Sequence, residues 1–278
     1  MNKDTNQIMA LINAYRMDGL GNNFVIIDRR KGSLEITKDK IVNLANKKVF
    51  IFDQLITLEK KDGNTYPIKI FNPDGIEVTA CGNGSRCVAY LISQENKQKN
   101  ILIKTKERVL NAEIIGKQNV KINMGKVKLN WKEIPLSEKM NTEQINIDLV
   151  DKEHGYGFCL NVGNPHIIFF VKDCFKIKIK ELGPKIENYK YFPERTNVTF
   201  AQVLDKKNIK VNVWERGAGQ TKACGTAACA TAVAASMKGL TDKNSNILFK
   251  EGNLQINYEE EIFMSGSVSE VKKIHLDI

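Results

Sequence analysis

The chain has 278 residues and a net charge of +10, and its length allows one large domain or two of moderate size. No apolar run reaches the roughly 20 residues that a transmembrane helix needs, and the N-terminal sequence lacks the pattern of a secretory signal. These features argue against a membrane partner and favour a cytoplasmic protein. Residues 1 to 12 are predicted to form a loose tail.

The positive charge is scattered along the chain rather than gathered in one block. Lys176, Lys178 and Lys180 alternate with isoleucines, a pattern typical of the exposed face of a strand. A solvated, lysine-rich surface explains this charge, so no nucleic-acid partner is expected. A basic nucleic-acid-binding protein is an alternative that net charge alone supports.

The six cysteines do not form a metal-binding pattern. The chain has no C-x-x-C pair and only 3 histidines, so neither a zinc site nor an iron–sulfur cluster is expected. In a reducing cytoplasm all six would be free thiols. The cysteines are Cys81, Cys87, Cys159, Cys174, Cys224 and Cys229.

Strands are predicted along the first half of the chain, with one buried helix among them. β-branched residues between Gly, Asn and Asp turns indicate five strands. These segments are residues 25–28, 54–60, 68–71, 101–104 and 120–124. Small and apolar residues follow both Cys81 and Cys224. Because a helix that is apolar nearly all round is buried, each cysteine is predicted to precede a buried helix.

The two cysteine motifs belong to a longer repeat. At an offset of 143 residues, Cys81-Gly82 falls on Cys224-Gly225, and the strand that ends at Phe71 falls on the one that ends at Trp214. Both strands are followed by a loop of the same length before the cysteine.

Other segments keep nearly the same offset. The sequence GNNFVII from Gly21 resembles GNPHIIF from Gly163, and Gln54 in FDQL falls on Asn197 in RTNVTF. Several matches in one order indicate a duplicated unit.

The duplication predicts an α/β (α+β) fold of two pseudo-symmetric domains, each a mostly antiparallel sheet wrapped around a central helix. The first domain would be residues 1–125, completed by a last strand near 269–278, and the second would be residues 126–268. The polar segment 126–151 is predicted to link the halves.

The two cysteines would face each other if both helices point their N-termini at the domain interface. The positive end of a helix lowers the pKa of a cysteine from about 8.5 toward neutrality, which favours a thiolate. The backbone N–H groups of Gly82, Asn83, Gly225 and Thr226 would bind a carboxylate. Two thiols on opposite faces of an α-carbon can then remove one proton and return another without a cofactor.

At these residues the chain resembles the diaminopimelate epimerase family. The matching motifs run from residue 17 to about 235, in the order that the family has. They are MDGLGNNFVIID, FDQL, FNPDGIEVTACGNGSRC, NVGNPH, FPERTNVTF and WERGAGQTKACGTAACA. The resemblance implies a homodimer that interconverts LL- and meso-2,6-diaminopimelate without a cofactor or metal, for lysine and peptidoglycan synthesis.

The resemblance also implies roles for individual residues. In the LL-to-meso direction Cys224 would take the α-proton and Cys81 would donate one, and the roles reverse in the other direction. His166 and Glu215 match positions that tune the thiols. The substrate-binding residues would be Asn22, Gln54, Asn72, Gly82, Asn83, Asn164, Asn197, Glu215, Arg216, Gly225 and Thr226.

One charged pair distinguishes the two halves, because Glu215-Arg216 falls on Asn72-Pro73 in the repeat. Arg216 suits a carboxylate and Glu215 an ammonium, which predicts a substrate with a second charged end. A proline- or hydroxyproline-type racemase, the alternative enzyme, leaves this pair unmatched. A redox sensor that switches a disulfide between the two cysteines is an alternative of another class.

Two positions depart from the usual pattern of the family. Met17-Asp18-Gly19 stands where Met-His-Gly is usual, which changes the polar environment of the first loop. Gly266-Ser267-Val268 replaces Gly-Pro-Ala near the segment that adjoins the family's dimer contact.

Overall fold

The computed structural model describes residues 12–32, 34–47, 51–79, 81–150 and 155–276. The predicted N-terminal tail lies outside these ranges except for Ile12, and so do Ala80, Asp151 and the last two residues. Within the described ranges, no helix combines the length and the apolar character needed to cross a membrane.

The described residues form four helices and seventeen strands. The helices are α1 (Lys38–Asn46), α2 (Gly82–Asn96), α3 (Ile179–Glu187) and α4 (Gly225–Met237). The first eight strands are β1 (Ala14–Gly19), β2 (Asn22–Asp28), β3 (Gln54–Leu58), β4 (Thr65–Phe71), β5 (Glu77–Val78), β6 (Asn100–Lys104), β7 (Val109–Gly116) and β8 (Asn119–Gly125). The others are β9 (Phe158–Asn161), β10 (Pro165–Phe170), β11 (Asn197–Val203), β12 (Asn208–Glu215), β13 (Gly219–Gln220), β14 (Asn244–Phe249), β15 (Gly252–Tyr258), β16 (Ile262–Ser267) and β17 (Lys272–Ile274). The five predicted strands correspond to β2, β3, β4, β6 and β8, and the two predicted buried helices are α2 and α4.

The strands of the first half pair mostly antiparallel. β1 pairs antiparallel with β2, β2 parallel with β3, and β3 antiparallel with β4. β4 then pairs parallel with β6, and β6, β7 and β8 follow as an antiparallel meander. The two parallel pairings arise where the chain crosses over through α1 and α2, because parallel neighbours need such a connection.

The second half repeats this order and even its register. β9 to β12 pair as β1 to β4 do, and β12 pairs parallel with β14 as β4 does with β6. Gln54 lies opposite Phe24 in the first half, and Asn197 lies opposite His166 in the second. The offsets that the sequence matches predicted therefore relate the two sheets residue by residue, and the pseudo-symmetric fold is confirmed.

Two strand pairings connect the halves. β8 pairs antiparallel with β16, so that Ile122 lies opposite Met264. β17, near the end of the chain, returns to the first half and pairs with β1, where Tyr15 lies opposite Lys273. The division into domains at residue 125 stays a prediction.

Each half wraps its strands around one buried helix. In α2 the residues from Asn83 to Ser93 are all buried, and in α4 those from Ala227 to Ala235 are. Alanines dominate α4, and their small side chains let the surrounding strands pack closely on every side. The two helices also contact each other.

The turn between β1 and β2 depends on the unusual Asp18. Leu20 and Gly21 have left-handed backbone conformations, with φ of 57° and 78°. The Asp18 carboxylate accepts a hydrogen bond from the N–H of Gly21 at 3.1 Å, and the Asp18 backbone N–H donates to Ser269 Oγ at 2.8 Å. The side chain thus fixes the turn that leads into Asn22.

The predicted strand with its face of Lys176, Lys178 and Lys180 is wrong. The first two lysines lie in an irregular segment, and α3 begins at Ile179. Ile179 and Ile186 are buried at a helical spacing of seven residues, which overrides a short alternating pattern.

The predicted linker, described as far as residue 150, packs into the second half rather than forming an exposed connection. Ile134, Leu136, Ile145 and Ile147 are buried in the cluster that includes Phe169. The segment is polar on average, but its apolar residues are placed so that they face a core.

Candidate active site

Cys81 and Cys224 occupy the same position on the two central helices. Each is the N-cap residue, with extended φ and ψ of −148° and 111° for Cys81 and −131° and 117° for Cys224. The Sγ of Cys81 accepts a hydrogen bond from the N–H of Gly84 at 3.4 Å, and the Sγ of Cys224 lies 3.4 Å from Thr226 Oγ1. Each thiol therefore lies among the free N–H groups of a first helical turn.

The two helix N-termini meet directly. A methyl group added to Gly225 would lie 4.0 Å from the Cα of Gly82 and 3.0 Å from Met264 Sδ. A methyl group added to Gly82 would lie 2.8 Å from Met264 Cε. Glycine at both positions allows this approach, which any side chain would obstruct. The expected facing arrangement of the two cysteine motifs is therefore present.

A cavity of about 180 Å³ lies between the two helices, and residues of both halves line it. Eleven of the fourteen predicted site residues line it. These are Asn22, Gln54, Cys81, Gly82, Asn83, Asn164, Glu215, Arg216, Cys224, Gly225 and Thr226. The structure thus brings most of the predicted set together around both thiols.

The other three predicted residues, Asn72, His166 and Asn197, lie behind the lining. Asn72 accepts a hydrogen bond from Gln54 at 3.3 Å, and His166 Nε2 lies 2.8 Å from Asn164 Oδ1. Each of these two contacts a residue that lines the cavity.

Asn197 is buried, and it holds the chain on both sides of the site. Its Oδ1 accepts a hydrogen bond from the backbone N–H of Arg216 at 3.0 Å, and its Nδ2 donates to Pro165 O at 2.8 Å. The Arg216 loop and the strand that follows Asn164 are therefore tied together by one amide.

Glu215 and Arg216 enter the cavity from the end of β12. Glu215 Oε1 accepts a hydrogen bond from Thr221 Oγ1 at 2.5 Å, and one guanidinium nitrogen of Arg216 donates to Glu194 O at 3.0 Å. The remaining donors of Arg216 are available to a ligand in the cavity.

The buried Glu187 of α3 anchors the loop that follows. Its carboxylate accepts hydrogen bonds from Trp214 Nε1 at 2.7 Å, from the N–H of Gly217 at 2.9 Å and from Arg195 at 3.2 Å. These bonds hold the Trp214 side chain and the Gly217 backbone, which lie on either side of Glu215 and Arg216.

Known proteins share the sequence or the fold of this chain. A family model described as diaminopimelate epimerase matches residues 14–130 and 158–271. The chain belongs to the diaminopimelate epimerase family. A diaminopimelate epimerase of Pelagibacter ubique is 46% identical over 272 residues, which cover 96% of this chain and 99% of that protein. One of Acidiphilium cryptum is 37% identical over 265 residues, which cover 94% of this chain and 95% of that protein.

Solved structures show the same fold at low sequence identity. A phenazine biosynthesis protein of the PhzF family from Enterococcus faecalis superimposes with a TM-score of 0.71. The match covers 96% of this chain and all of that one, at 13% sequence identity. At such an identity the likeness concerns the fold alone, while the family is shown by the sequence.

Burial dominates the ionisation of both thiols in this family member. It raises the pKa of Cys81 to about 11, although that residue borders the cavity, and it raises the pKa of Cys224 well above its usual value. The negative charge of Glu215 raises the pKa of both thiols further. Burial also raises the pKa of the Glu215 carboxyl itself.

The expectation of thiol pKa values near neutrality is therefore wrong. The helix N-termini act in the predicted direction, since the N–H groups of Gly84 and Asn83 lower the pKa of Cys81 and that of Ala227 lowers the pKa of Cys224. Desolvation of the charged form outweighs these contributions.

His166 is neutral in the folded protein. It is fully buried, and burial together with the positive charge of Arg216 lowers its pKa to about 3. Its Nδ1 has no hydrogen-bond partner within the described ranges. That His166 tunes the thiols stays a prediction.

We expect acid to destabilise the fold through His166. In the unfolded chain its pKa returns to about 6.5, so between pH 6.5 and about 3 the unfolded state binds a proton that the folded state does not. The free energy of unfolding then falls by about 1.4 kcal/mol for each pH unit of acidification. Urea unfolding should show that His166→Gln loses about 2 kcal/mol less stability than wild type between pH 6.5 and 4.5. His275→Gln, which replaces an exposed histidine, is the control. Equal losses of stability in wild type and His166→Gln would contradict the prediction.

Seven lining residues were missed from the sequence. They are Thr79, Glu107, Arg108, Leu110, Met124, Gly163 and Ala223. Thr79, Gly163 and Ala223 lie within motifs that were recognised, although they were not themselves named as site residues. Glu107 and Arg108 lie in the turn between β6 and β7, where a charged sequence indicates only an exposed turn. Arg108 lines the cavity, and its guanidinium donates to Met124 O at 2.8 Å, a contact between this turn and β8.

No three His, Cys, Asp or Glu side chains of the described part of the chain come together as a set of metal ligands. All six cysteines are free thiols.

Proposed function

We propose that this chain interconverts LL- and meso-2,6-diaminopimelate by moving a proton between the two faces of one α-carbon. The chain is an isomerase of the diaminopimelate epimerase family. The observation that carries the proposed mechanism is the presence of Cys81 and Cys224 on two facing helix N-termini that line one cavity.

In the LL-to-meso direction, Cys224 removes the α-proton as a thiolate and Cys81 donates a proton to the opposite face. In the reverse direction the two exchange roles, as microscopic reversibility requires. Each turnover leaves one thiol and one thiolate, so the net charge of the pair is unchanged. No cofactor or metal is needed for these transfers.

The substrate carboxylate at the reacting carbon gains negative charge as the α-proton leaves. The N–H groups of Gly82, Asn83, Gly225 and Thr226 begin the two helices and border the cavity. Such fixed donors stabilise an enolate-like charge without reorganising. They also fix the α-carbon between the two sulfur atoms.

Raised thiol pKa values suit this reaction. An α-proton beside a carboxylate is weakly acidic, and a thiolate with a raised pKa is a stronger base. Glu215 raises the pKa of both thiols through its charge. We assign to Glu215, and to His166 through Asn164, the tuning of this pair.

The second end of diaminopimelate carries another carboxylate and another ammonium. Arg216 keeps free donors toward the cavity and suits this carboxylate. A carboxylate oxygen of Glu215 suits the ammonium. Asn22, Gln54 and Asn164 line the same cavity and supply side-chain amides to the substrate. Asn72 and Asn197 act through Gln54 and Arg216, to which they are hydrogen-bonded.

We also propose a cytoplasmic homodimer of subunits that divide near residue 125. A reducing compartment keeps both catalytic thiols free. Within the described ranges β17 pairs with β1 alone, so one edge of the sheet is open to a second copy. Light scattering, which gives the mass of the protein in solution, tests for the dimer. We propose no nucleic-acid partner.

Proton exchange in D₂O tests the function. The reduced protein is incubated with LL-diaminopimelate or with L-proline, without any cofactor, and the α-hydrogen is followed by NMR. We expect deuterium at the α-carbon of diaminopimelate together with the meso isomer, and no exchange with proline. Absence of exchange with diaminopimelate would overturn the proposal, and exchange with proline alone would favour the cyclic substrate.

A further inference from the structure

Arg86 is a charged side chain that the mechanism above does not use. It lies on α2, five residues after Cys81, and is the largest fully buried side chain of the described residues. Among the ion pairs of the described ranges, none includes Arg86. A buried cation without a carboxylate partner is costly, so its presence needs a reason.

The guanidinium is only partly satisfied by hydrogen bonds. One terminal nitrogen donates to Asn83 Oδ1 at 2.8 Å, the other approaches Met264 Sδ at 3.7 Å, and Nε has no partner in the described part of the chain. A methyl group added to Gly266 would lie 3.2 Å from the Arg86 Cζ. The side chain is thus enclosed between α2 and β16, directly behind the residues that border the cavity.

The groups that attract this charge are thiols. Cys81, Cys87 and Cys229 are the residues whose negative charge would interact favourably with Arg86. Burial raises the pKa of Cys229 to about 12 and that of Cys87 higher still. Of the three, Cys81 alone lines the cavity, and its pKa of about 11 is the lowest.

Charges on the surrounding elements also act on these thiols. Asp18 of β1 opposes ionisation of Cys87, and Glu215 of β12 opposes ionisation of Cys81. Arg108, from the turn between β6 and β7, favours ionisation of Cys229. Arg86 is therefore the cation that acts on Cys81 against Glu215.

Only the first half of the repeat has an arginine at this position. The 143-residue offset that places Cys224 on Cys81 places Cys229 on Arg86. Burial and Glu215 are the largest causes that raise the pKa of Cys224, whereas at Cys81 the charge of Arg86 acts against these two causes. The two cysteines have equivalent backbone positions but different electrostatic surroundings.

We propose that Arg86 is the fixed counter-charge of Cys81, which stabilises the thiolate on that residue whenever it has given up its proton. Through its hydrogen bond it also orients Asn83, whose backbone borders the cavity. Arg86 is thus a positioning residue for the two-cysteine reaction, and this assignment rests on the proposed function.

Alkylation of Cys81 tests the assignment without any substrate. The Cys224→Ser protein leaves Cys81 as the only cysteine that lines the cavity. The rate of iodoacetamide labelling of the Cys81 peptide is measured by mass spectrometry between pH 7 and 10, below the pKa of Cys81, in this protein and with Arg86→Lys, Arg86→Gln or Arg86→Met added. Labelling reports the thiolate, because the thiol does not react.

We expect the neutral variants, Arg86→Gln and Arg86→Met, to slow the labelling of Cys81 about tenfold at each pH in this range, because loss of the counter-charge lowers the fraction of thiolate. Arg86→Lys keeps the charge and should restore most of the rate. Thermal unfolding shows which variants fold. If Arg86→Met does not fold, the comparison of labelling rates between Arg86→Lys and Arg86→Gln decides the question. Equal labelling rates for Arg86→Lys and Arg86→Gln would overturn the proposal, as would failure of both to fold, which would assign the guanidinium to the fold itself.

This outcome is separate from that of the proposed function. Slower labelling in the neutral variants with no α-proton exchange from diaminopimelate would reject the reaction and keep the thiolate counter-charge. Exchange from diaminopimelate with an unchanged labelling rate in the neutral variants would reject the role of Arg86 alone.

Discussion

Cys224→Ala is expected to lower kcat for epimerisation of LL-diaminopimelate by about 10³-fold while the protein keeps its fold. General acid–base groups contribute about 10²- to 10⁴-fold to catalysis, and alanine removes the base that this direction requires. The helix remains, because Cys224 makes no side-chain hydrogen bond that caps it. Stopped-time chromatography of the isomers and a thermal unfolding curve measure the two properties.

The loss of α-proton exchange in Cys224→Ala should differ between the two isomers. Cys81 remains in the variant and lies on the face from which meso-diaminopimelate would lose its α-proton. In D₂O we therefore expect slow α-deuteration of the meso isomer without inversion, and none of the LL isomer. Inversion above about 1% of the wild-type rate would contradict a two-base mechanism.

Cys229→Ala is the matched control. Cys229 is a fully buried cysteine of the same helix and does not line the cavity. Alanine there should lower the free energy of unfolding by about 1 kcal/mol through lost packing and leave kcat within a factor of about two. Equal loss of activity in both variants would mean that the helix, rather than the thiol of Cys224, carries the effect.

The repeat in the sequence predicted much of the fold. Because a strand register is fixed once one face is buried, a constant offset between motifs implies equivalent pairings in both halves. The observed pairs Phe24 with Gln54 and His166 with Asn197 follow this rule. The small and apolar residues that follow each cysteine also predicted that both cysteines precede buried helices.

His166 shows how the same repeat could have been used further. It falls on Phe24, a core residue, and the structure buries both completely. A histidine in the place of a core phenylalanine is expected to lie behind the site rather than in it. The structure shows this arrangement, with His166 hydrogen-bonded to Asn164, which lines the cavity.

The direction of the thiol pKa shifts could not be predicted from the sequence. A helix N-terminus contributes about 0.3–1 kcal/mol in favour of a negative charge, whereas full burial can shift a pKa by up to about 3–5 units in the opposite direction. The depth of burial depends on how closely Gly82 and Gly225 approach each other. That approach is a property of the assembled halves and not of either motif.

Arg216→Met is expected to lower kcat/KM for diaminopimelate by about 10- to 100-fold, mainly through KM. Hydrogen bonds to charged groups contribute about 1.5–3 kcal/mol, and methionine removes those that the proposal assigns to the second carboxylate. The loop should stay in place, because Asn197 Oδ1 holds the backbone N–H of residue 216 and Glu187 holds that of Gly217. Arg216→Lys keeps the charge without the planar fork and should recover part of the loss.

Lysine distinguishes loss of recognition from general damage, because it is diaminopimelate without one of the two carboxylates. If Arg216 binds that carboxylate, the wild-type protein should prefer diaminopimelate to L-lysine strongly in α-proton exchange, and Arg216→Met should reduce this ratio by the same 10- to 100-fold. Arg29→Met, which removes an ion pair with Glu59 away from the cavity, should leave the ratio unchanged. An unchanged ratio in Arg216→Met would place the second carboxylate elsewhere, and Arg108, the other arginine that lines the cavity, would then be the residue to replace.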